Sequence, residues 1–260
     1  MRYAEIFNKR GIFVPFMMSG DPSYALSFEI VKTLIDAGAD ALELGFAFSD
    51  PMADGVVIQA SHLRALKAGV DMRSNFNWLS QIRDYNAKIP IGLLVYANLI
   101  YHFGIENFYR ACFESGVDSV LVADVPLIES QAFLEAAYKY QISPVFIAAP
   151  HTKKADLERI ATLSQAYIYV LARAGVTGAK QVLGGEAKEV IFTLKQCSDV
   201  PCLLGFGISK PDHMQRALAM GADGVICGSA VVQIIEEHLN SSSMLTELQR
   251  FSQTMLTAVC

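Results

Sequence analysis

The sequence predicts an α/β fold, a single (β/α)8 TIM barrel spanning residues 1–260, with extra helices at the N-terminus and in a loop. Three observations carry this expectation. Roughly eight short apolar segments recur along the chain, most followed by a stretch with helical spacing of its apolar residues. The segments are apolar on both faces, as a parallel sheet covered by helices requires, and the composition agrees, at 52% hydrophobic and only 18% charged. A length of 260 residues suits such a barrel as one domain, and no Pro/Gly/Ser-rich linker divides it. Alternation alone also fits a doubly wound sheet, but no GxGxxG follows the first strand.

Each element has its own justification. Met1 to Gly11 reads as a short amphipathic helix rather than a signal peptide. Ile12–Met17 is the first strand. Pro22 to Ala37 is a helix, with Ile30, Val31, Leu34 and Ile35 on one face and Gly38 to stop it. Ala41–Leu44 is the second strand. A loop rich in Asp and Gly follows, then helical pieces at Gln59–Lys67 and Met72–Asn86. The remaining strands are expected at Ile91–Tyr96, Ser119–Val122, Pro144–Ile147, Tyr167–Leu171, Cys202–Leu204 and Gly224–Cys227. Between and after them, helices are expected at Ile105–Ser115, Ser130–Tyr140, Lys154–Ser164, Glu186–Gln196, Pro211–Met220, Ala230–His238 and Met244–Thr257.

Bulk properties narrow the function classes. A net charge of −5 without a long basic run argues against nucleic-acid binding. Five cysteines, odd in number and without CxxC spacing, favour a reducing cytoplasm over a disulfide framework and speak against a zinc site. No apolar run reaches the ~18 residues of a membrane span. The low charged fraction leaves room for an apolar surface patch, and so for a partner.

In such a barrel the chemistry lies at the C-terminal ends of the strands and in the loops after them. Glu43 is the odd residue of the second strand, set between Leu42 and Leu44. An unpaired buried carboxylate is costly, so Glu43 is expected to face a cleft as a catalytic acid or base, with Asp54 reaching the same pocket from the following loop. Ser19-Gly20-Asp21-Pro22 reads as a turn. Tyr96-Ala-Asn98 is a further polar loop, and Asp124 is expected as a helix cap or as a partner for the Asp50 loop. Arg173 to Gly185 is a glycine-containing loop suited to a lid or to a plain surface loop. Gly205-Phe-Gly207 and Gly228-Ser229 follow the last two strands, where barrels bind phosphate with glycine N–H groups and a helix N-terminus. The five histidines form no HxH or HExxH set, no lysine sits plainly within a strand for a Schiff base, and no GxSxG is present. No metal site is therefore expected.

Val14-Pro-Phe16, Gly20-Asp-Pro22, Leu42-Glu-Leu-Gly45, Phe48-Ser-Asp-Pro51, Ala53-Asp-Gly55, Tyr96-Ala-Asn98, Val122-Ala-Asp-Val-Pro126, Arg173-Ala-Gly-Val-Thr-Gly178, Gly205-Phe-Gly-Ile208 and Gly228-Ser-Ala230, in that order over nearly the whole chain, resemble the α subunit of tryptophan synthase. The resemblance implies a (β/α)8 barrel that cleaves indole-3-glycerol phosphate to indole and glyceraldehyde 3-phosphate. It implies no cofactor in this chain, and a β-subunit partner that carries pyridoxal phosphate and receives the indole in an α2β2 heterotetramer. By the same resemblance Glu43 is the general acid/base and Asp54 pairs with the indole N–H. Phe16 and Leu121 fall at indole-packing positions, and Tyr169 lines the pocket. Gly178, Phe206, Gly207, Gly228 and Ser229 form the phosphate site, and Thr177 belongs to a loop closing over Asp54. Ala47, Val56, Val57 and Met18 depart from the family pattern, the first three in the loop expected to touch the partner. Three rivals remain: a stand-alone indole-releasing lyase, a non-catalytic activator of the β subunit, and another phosphate-binding barrel such as a ribulose-phosphate isomerase or epimerase.

Overall fold

The structure, a computed structural model, describes residues 2–172 and 185–259. Helix α1 (Arg2–Ile6) precedes strand β1 (Ile12–Met18), and α2 (Tyr24–Asp36) leads to β2 (Leu42–Gly45). Two helices, α3 (Val56–Lys67) and α4 (Met72–Tyr85), separate it from β3 (Ile91–Val95). Then come α5 (Ala97–Phe103), α6 (Ile105–Glu114), β4 (Ser119–Val122), a 3-10 turn (Leu127–Glu129) and α7 (Gln131–Lys139). Short strands β5 (Ser143–Pro144) and β6 (Ile147–Ala148) precede α8 (Lys154–Leu163) and β7 (Ile168–Leu171). The chain ends with α9 (Glu186–Cys197), β8 (Cys202–Gly205), α10 (Pro211–Ala219), β9 (Gly224–Cys227), α11 (Ser229–Glu237) and α12 (Met244–Leu256).

The strands are all parallel and run in the order β5-β4-β3-β2-β1-β9-β8-β7-β6. The two ends of that order are the two halves of one stave. Ser143 and Pro144 pair with β4, whereas Ile147 and Ala148 pair with β7. Between them the Val145 N–H donates to the Val120 carbonyl at 3.1 Å, and the Tyr169 N–H donates to the Phe146 carbonyl at 3.0 Å. The ladder thus passes from one neighbour to the other and closes the barrel. The sequence reading expected one strand at Pro144–Ile147. The stagger that closure demands splits it. Strand β1 shows the same handover, pairing with β9 through Ile12–Pro15 and with β2 through Phe16–Met18, so Pro15 sits where the strand changes partner.

Alternation sorts the strand residues into two cores. Ile12, Val14, Phe16, Met18, Leu121, Tyr167, Tyr169, Leu203 and Ile226 pack together inside the barrel. Their neighbours Phe13, Met17, Leu42, Leu44, Ile168, Val170, Cys202, Leu204 and Val225 pack outward under the helices. This is why the strands read as apolar on both faces, and why a Glu at position 43 points inward. Helix α1 closes the floor. Tyr3 reaches the Ser119 hydroxyl at 3.0 Å and lies against Tyr167 with ring centroids 5.6 Å apart, while Arg2 and Arg83 both bind Asp118.

Helix α1 ends at Ile6, short of the Gly11 expected, and two further helices differ from the sequence expectation. Helix α3 begins at Val56 rather than Gln59. Its first turn is β-branched, but a first turn donates no intrahelical bonds and tolerates such residues when the loop before it is anchored. Helix α5, which occupies the stretch read as a polar loop after β3, has its first N–H, on Ala97, held at 2.7 Å by Asp124 from the loop after β4. Asp124 is therefore a helix cap. It caps from a distant loop, a signal that local sequence does not contain.

Candidate active site

A cavity of about 640 Å³ opens at the C-terminal ends of the strands. Glu43, Phe16 and Tyr169 line it from the staves, and Ala53, Asp54, Tyr96, Ala123 and the 206–209 and 228–230 turns line it from the loops. The structure thus brings Phe16, Glu43, Asp54, Tyr169, Phe206, Gly207, Gly228 and Ser229 to one place. Leu121 is buried in the same inner core but is not among the cavity-lining residues; Leu94 and Ile147 line it instead. Thr177 and Gly178 lie outside the described residues.

Glu43 is 1% exposed, and the Tyr167 hydroxyl donates to its Oε1 at 2.9 Å. Burial pushes its carboxyl up to about 8; the Tyr167 bond opposes the shift, and the charge of Asp54 across the cavity adds to it. The register aligns Phe16, Glu43 and Gly92 across neighbouring strands, and a Cβ at Gly92 would meet the Tyr3 and Ser119 hydroxyls at 2.9 Å. Glycine there makes room for the hydroxyl layer beneath Glu43. Gly205 does the same for the opposite wall, because a Cβ would fall 2.2 Å from the Tyr169 hydroxyl.

Asp54 is anchored in the loop between β2 and α3. The Tyr96 hydroxyl donates to its Oδ2 at 2.7 Å, and His62 Nε2 lies 3.1 Å from the same oxygen. Gln59 binds its carbonyl at 2.8 Å. Tyr96 in turn accepts from the Ala53 N–H at 3.2 Å and stacks on Phe48 with centroids 5.2 Å apart. The sequence carries no local signal for the roles of His62, Tyr167 and Tyr96. Among the described residues no group of three or more His, Cys, Asp or Glu side chains is placed to hold a metal.

Helix α3 ties this loop to the one after β1. Its buried face carries Ile58, Ser61, His62 and Ala65 at helical spacing. Arg64 grips the fully buried Asp21 through Nε and Nη2, each at 2.8 Å, and Ser61 binds the same carboxylate. Asp21 thus has a structural task inside the expected turn. Arg64→Ala leaves that carboxylate buried without its counter-charge and is expected to lower unfolding free energy by about 3–5 kcal/mol. Urea melts measure this, and a loss below about 1 kcal/mol would show that the pair does not hold the loop.

At the other end of the cavity, Phe206 has φ +73° and Gly207 φ +78°, which turns the chain sharply out of β8. A bulky residue held in the left-handed region costs roughly 1–3 kcal/mol and marks a turn fixed by its surroundings. Gly228 and Ser229 open α11 beside it. Lys210, Asp212, His213 and Arg216 line this end, and Asp212 pairs with Arg216 at 2.8 Å. Lys210 and the backbone N–H groups at the N-terminus of α11 suit this end to an anion, while Glu43 and Asp54 occupy the other.

The tryptophan synthase alpha chain family profile matches residues 4–259. This chain belongs to the tryptophan synthase alpha chain family. A relative in Helicobacter pylori strain Shi470, a tryptophan synthase alpha chain, is 58% identical over 99% of this chain and 100% of its own length. A Vibrio cholerae alpha chain is 50% identical, covering 99% of this chain and 98% of its own. Among solved structures, the tryptophan synthase a2b2 complex from the hyperthermophile Pyrococcus furiosus contains a chain that superposes with a TM-score of 0.88 at 36% identity, over 96% of this chain and 99% of that one. The tryptophan synthase alpha chain family thus accounts for the whole barrel.

Proposed function

We propose that this chain cleaves indole-3-glycerol phosphate to indole and glyceraldehyde 3-phosphate, as the α subunit of a tryptophan synthase whose β subunit carries pyridoxal phosphate. The observation that carries the reading is the cavity with Glu43 and Asp54 at one end, aromatic walls, and two glycine turns beside Lys210 and a helix N-terminus at the other. The reaction is a retro-aldol cleavage, which needs the indole ring as an electron sink. Glu43, protonated at neutral pH, delivers its proton to indole C3, and positive charge develops at N1. Asp54 stabilises that charge through the N–H. The Glu43 carboxylate then takes the proton of the glycerol hydroxyl next to the ring. The C–C bond breaks, its electron pair neutralises the ring nitrogen, and the acid is restored. Phe16 and Tyr169 line the pocket for the ring, and the 206–207 and 228–229 turns hold the phosphate.

The partner is assigned to the face around the Asp54 loop. Met52 and Val56 are 87% and 78% exposed and Leu63 is exposed two turns further along the same α3 stripe, an apolar patch of the kind an interface covers. A cleavage assay titrated with β subunit tests both parts of the reading. Turnover is expected to rise and saturate at one β per α, and Val56→Asp is expected to abolish the rise while leaving unassisted cleavage intact. Aspartate in a first helical turn favours the helix, so the fold is retained. Turnover indifferent to β subunit would point instead to a stand-alone lyase, and no cleavage at saturating substrate to a non-catalytic activator.

A further inference from the structure

We propose that His62 is a positioning residue that sets the orientation of Asp54, through a tautomer fixed by the Phe48 backbone. This rests on the reading of Asp54 as the carboxylate facing the indole N–H.

His62 is 3% exposed on the inner face of α3. Its Nδ1 lies 2.9 Å from the Phe48 backbone nitrogen, which can only donate. A backbone N–H bonds only to an unprotonated ring nitrogen, so the imidazole proton sits on Nε2. Nε2 faces Asp54 Oδ2 at 3.1 Å and therefore donates to it. The Tyr96 hydroxyl donates to the same oxygen, and the Tyr96 ring lies edge-on to the imidazole at 6.1 Å. Among the described residues both donors thus converge on Oδ2, which leaves the other carboxylate oxygen to accept from a substrate N–H. Removing the His62 donor frees the carboxylate to rotate about χ2, a misplacement of a group whose value lies in preorganised direction. The same ring also ties Phe48, in the segment before Asp50, to Asp54 beyond it. A shift of either half of the loop is felt by the other.

Asparagine and glutamine separate the two bonds of the ring. His62→Gln places an amide N–H near the Nε2 position and keeps the donor to Asp54, whereas His62→Asn places an acceptor near the Nδ1 position and keeps only the bond from Phe48. Steady-state cleavage of indole-3-glycerol phosphate is measured for both, in the complex with β subunit, with inorganic phosphate as a competitive probe of the phosphate end. The expected result is kcat at least tenfold down in His62→Asn and within about threefold of wild type in His62→Gln, with phosphate affinity unchanged in both. In an Asp54→Asn background the Asn change should cost nothing more, because the two residues act through one contact. Equal losses in the two variants, or a wild-type kcat in His62→Asn while Asp54→Asn is inactive, would overturn the His62 proposal alone. A fully active Asp54→Asn would instead remove the reading on which it rests. If His62→Asn does not fold, the Gln variant decides by itself: a folded protein with a tenfold lower kcat overturns the proposal.

Discussion

Glu43→Gln is expected to abolish indole release and at the same time to make the protein more stable. The loss of turnover follows from the proton that only a carboxyl supplies: glutamine keeps the acceptor for Tyr167 but neither gives a proton to C3 nor takes one from the glycerol hydroxyl. A fall of at least 10²-fold in kcat is expected, the lower end of what a positioned acid or base contributes. The gain in stability follows from burial. The folded-state pKa of Glu43 is raised to about 8 against an ordinary value of 4.5. Between those two values the folded chain holds a proton that the unfolded chain releases, so stability falls as pH rises from about 4.5 towards 8 and stays low above that. At pH 7 the penalty is roughly 3 kcal/mol, at about 1.4 kcal/mol for each pH unit above the ordinary value. Glutamine carries no such penalty. Thermal or urea melts from pH 5 to pH 8 check this: the wild-type curve should slope downwards and the Gln curve should lie above it, with the gap widening as pH rises. A Gln variant less stable than wild type at pH 7.5 would mean that Glu43 is ionised and favourably paired in the fold.

Asp54→Asn is expected to lower kcat by about 10²-fold while phosphate binding stays within about threefold of wild type. Removing one group that stabilises developing charge costs on this scale. The Asn amide oxygen still accepts from Tyr96 and His62, so the loop keeps its place and the loss is chemical rather than structural. The phosphate end is built from other strands and is untouched. A second consequence is electrostatic. Asp54 is one of the groups that push the Glu43 carboxyl up, so its neutralisation should move the Glu43 titration to lower pH. The basic limb of residual kcat/KM should then shift to lower pH in Asp54→Asn. Phosphate affinity falling in step with kcat would contradict this division of labour.

The main features of the fold and the site were legible because they are local. Leu42-Glu-Leu44 announces an inward carboxylate through strand alternation alone, and the glycine turns at 205–207 and 228 announce close backbone approach. What escaped was set by contacts between distant segments. The split of the stave at 143–148 depends on which neighbour each half pairs with. Helix α5 depends on an Asp124 cap from another loop, and its seven residues are too few for a periodic signal. His62 read as one histidine among five because its meaning lies in Phe48 on one side and Asp54 on the other, fourteen and eight positions away along the chain. Tyr167 reads as the first residue of a strand that the structure begins at Ile168; it still turns inward with Tyr169, and its bond to Glu43 needs the barrel closed. Lys210 lies on the turn after β8 and carries no pattern of its own, yet it lines the phosphate end, where Arg216 is paired with Asp212.

The most direct measurement is an infrared titration of the Glu43 carboxyl, taken as the wild-type minus Glu43→Gln difference spectrum across pH and set beside the pH dependence of cleavage. A protonated carboxyl signal present at pH 7, lost near pH 8 in register with the fall in kcat/KM, is the expected result. A carboxyl already ionised at pH 6, with cleavage unaffected across the same range, would contradict the assignment of Glu43 as the acid that starts the reaction.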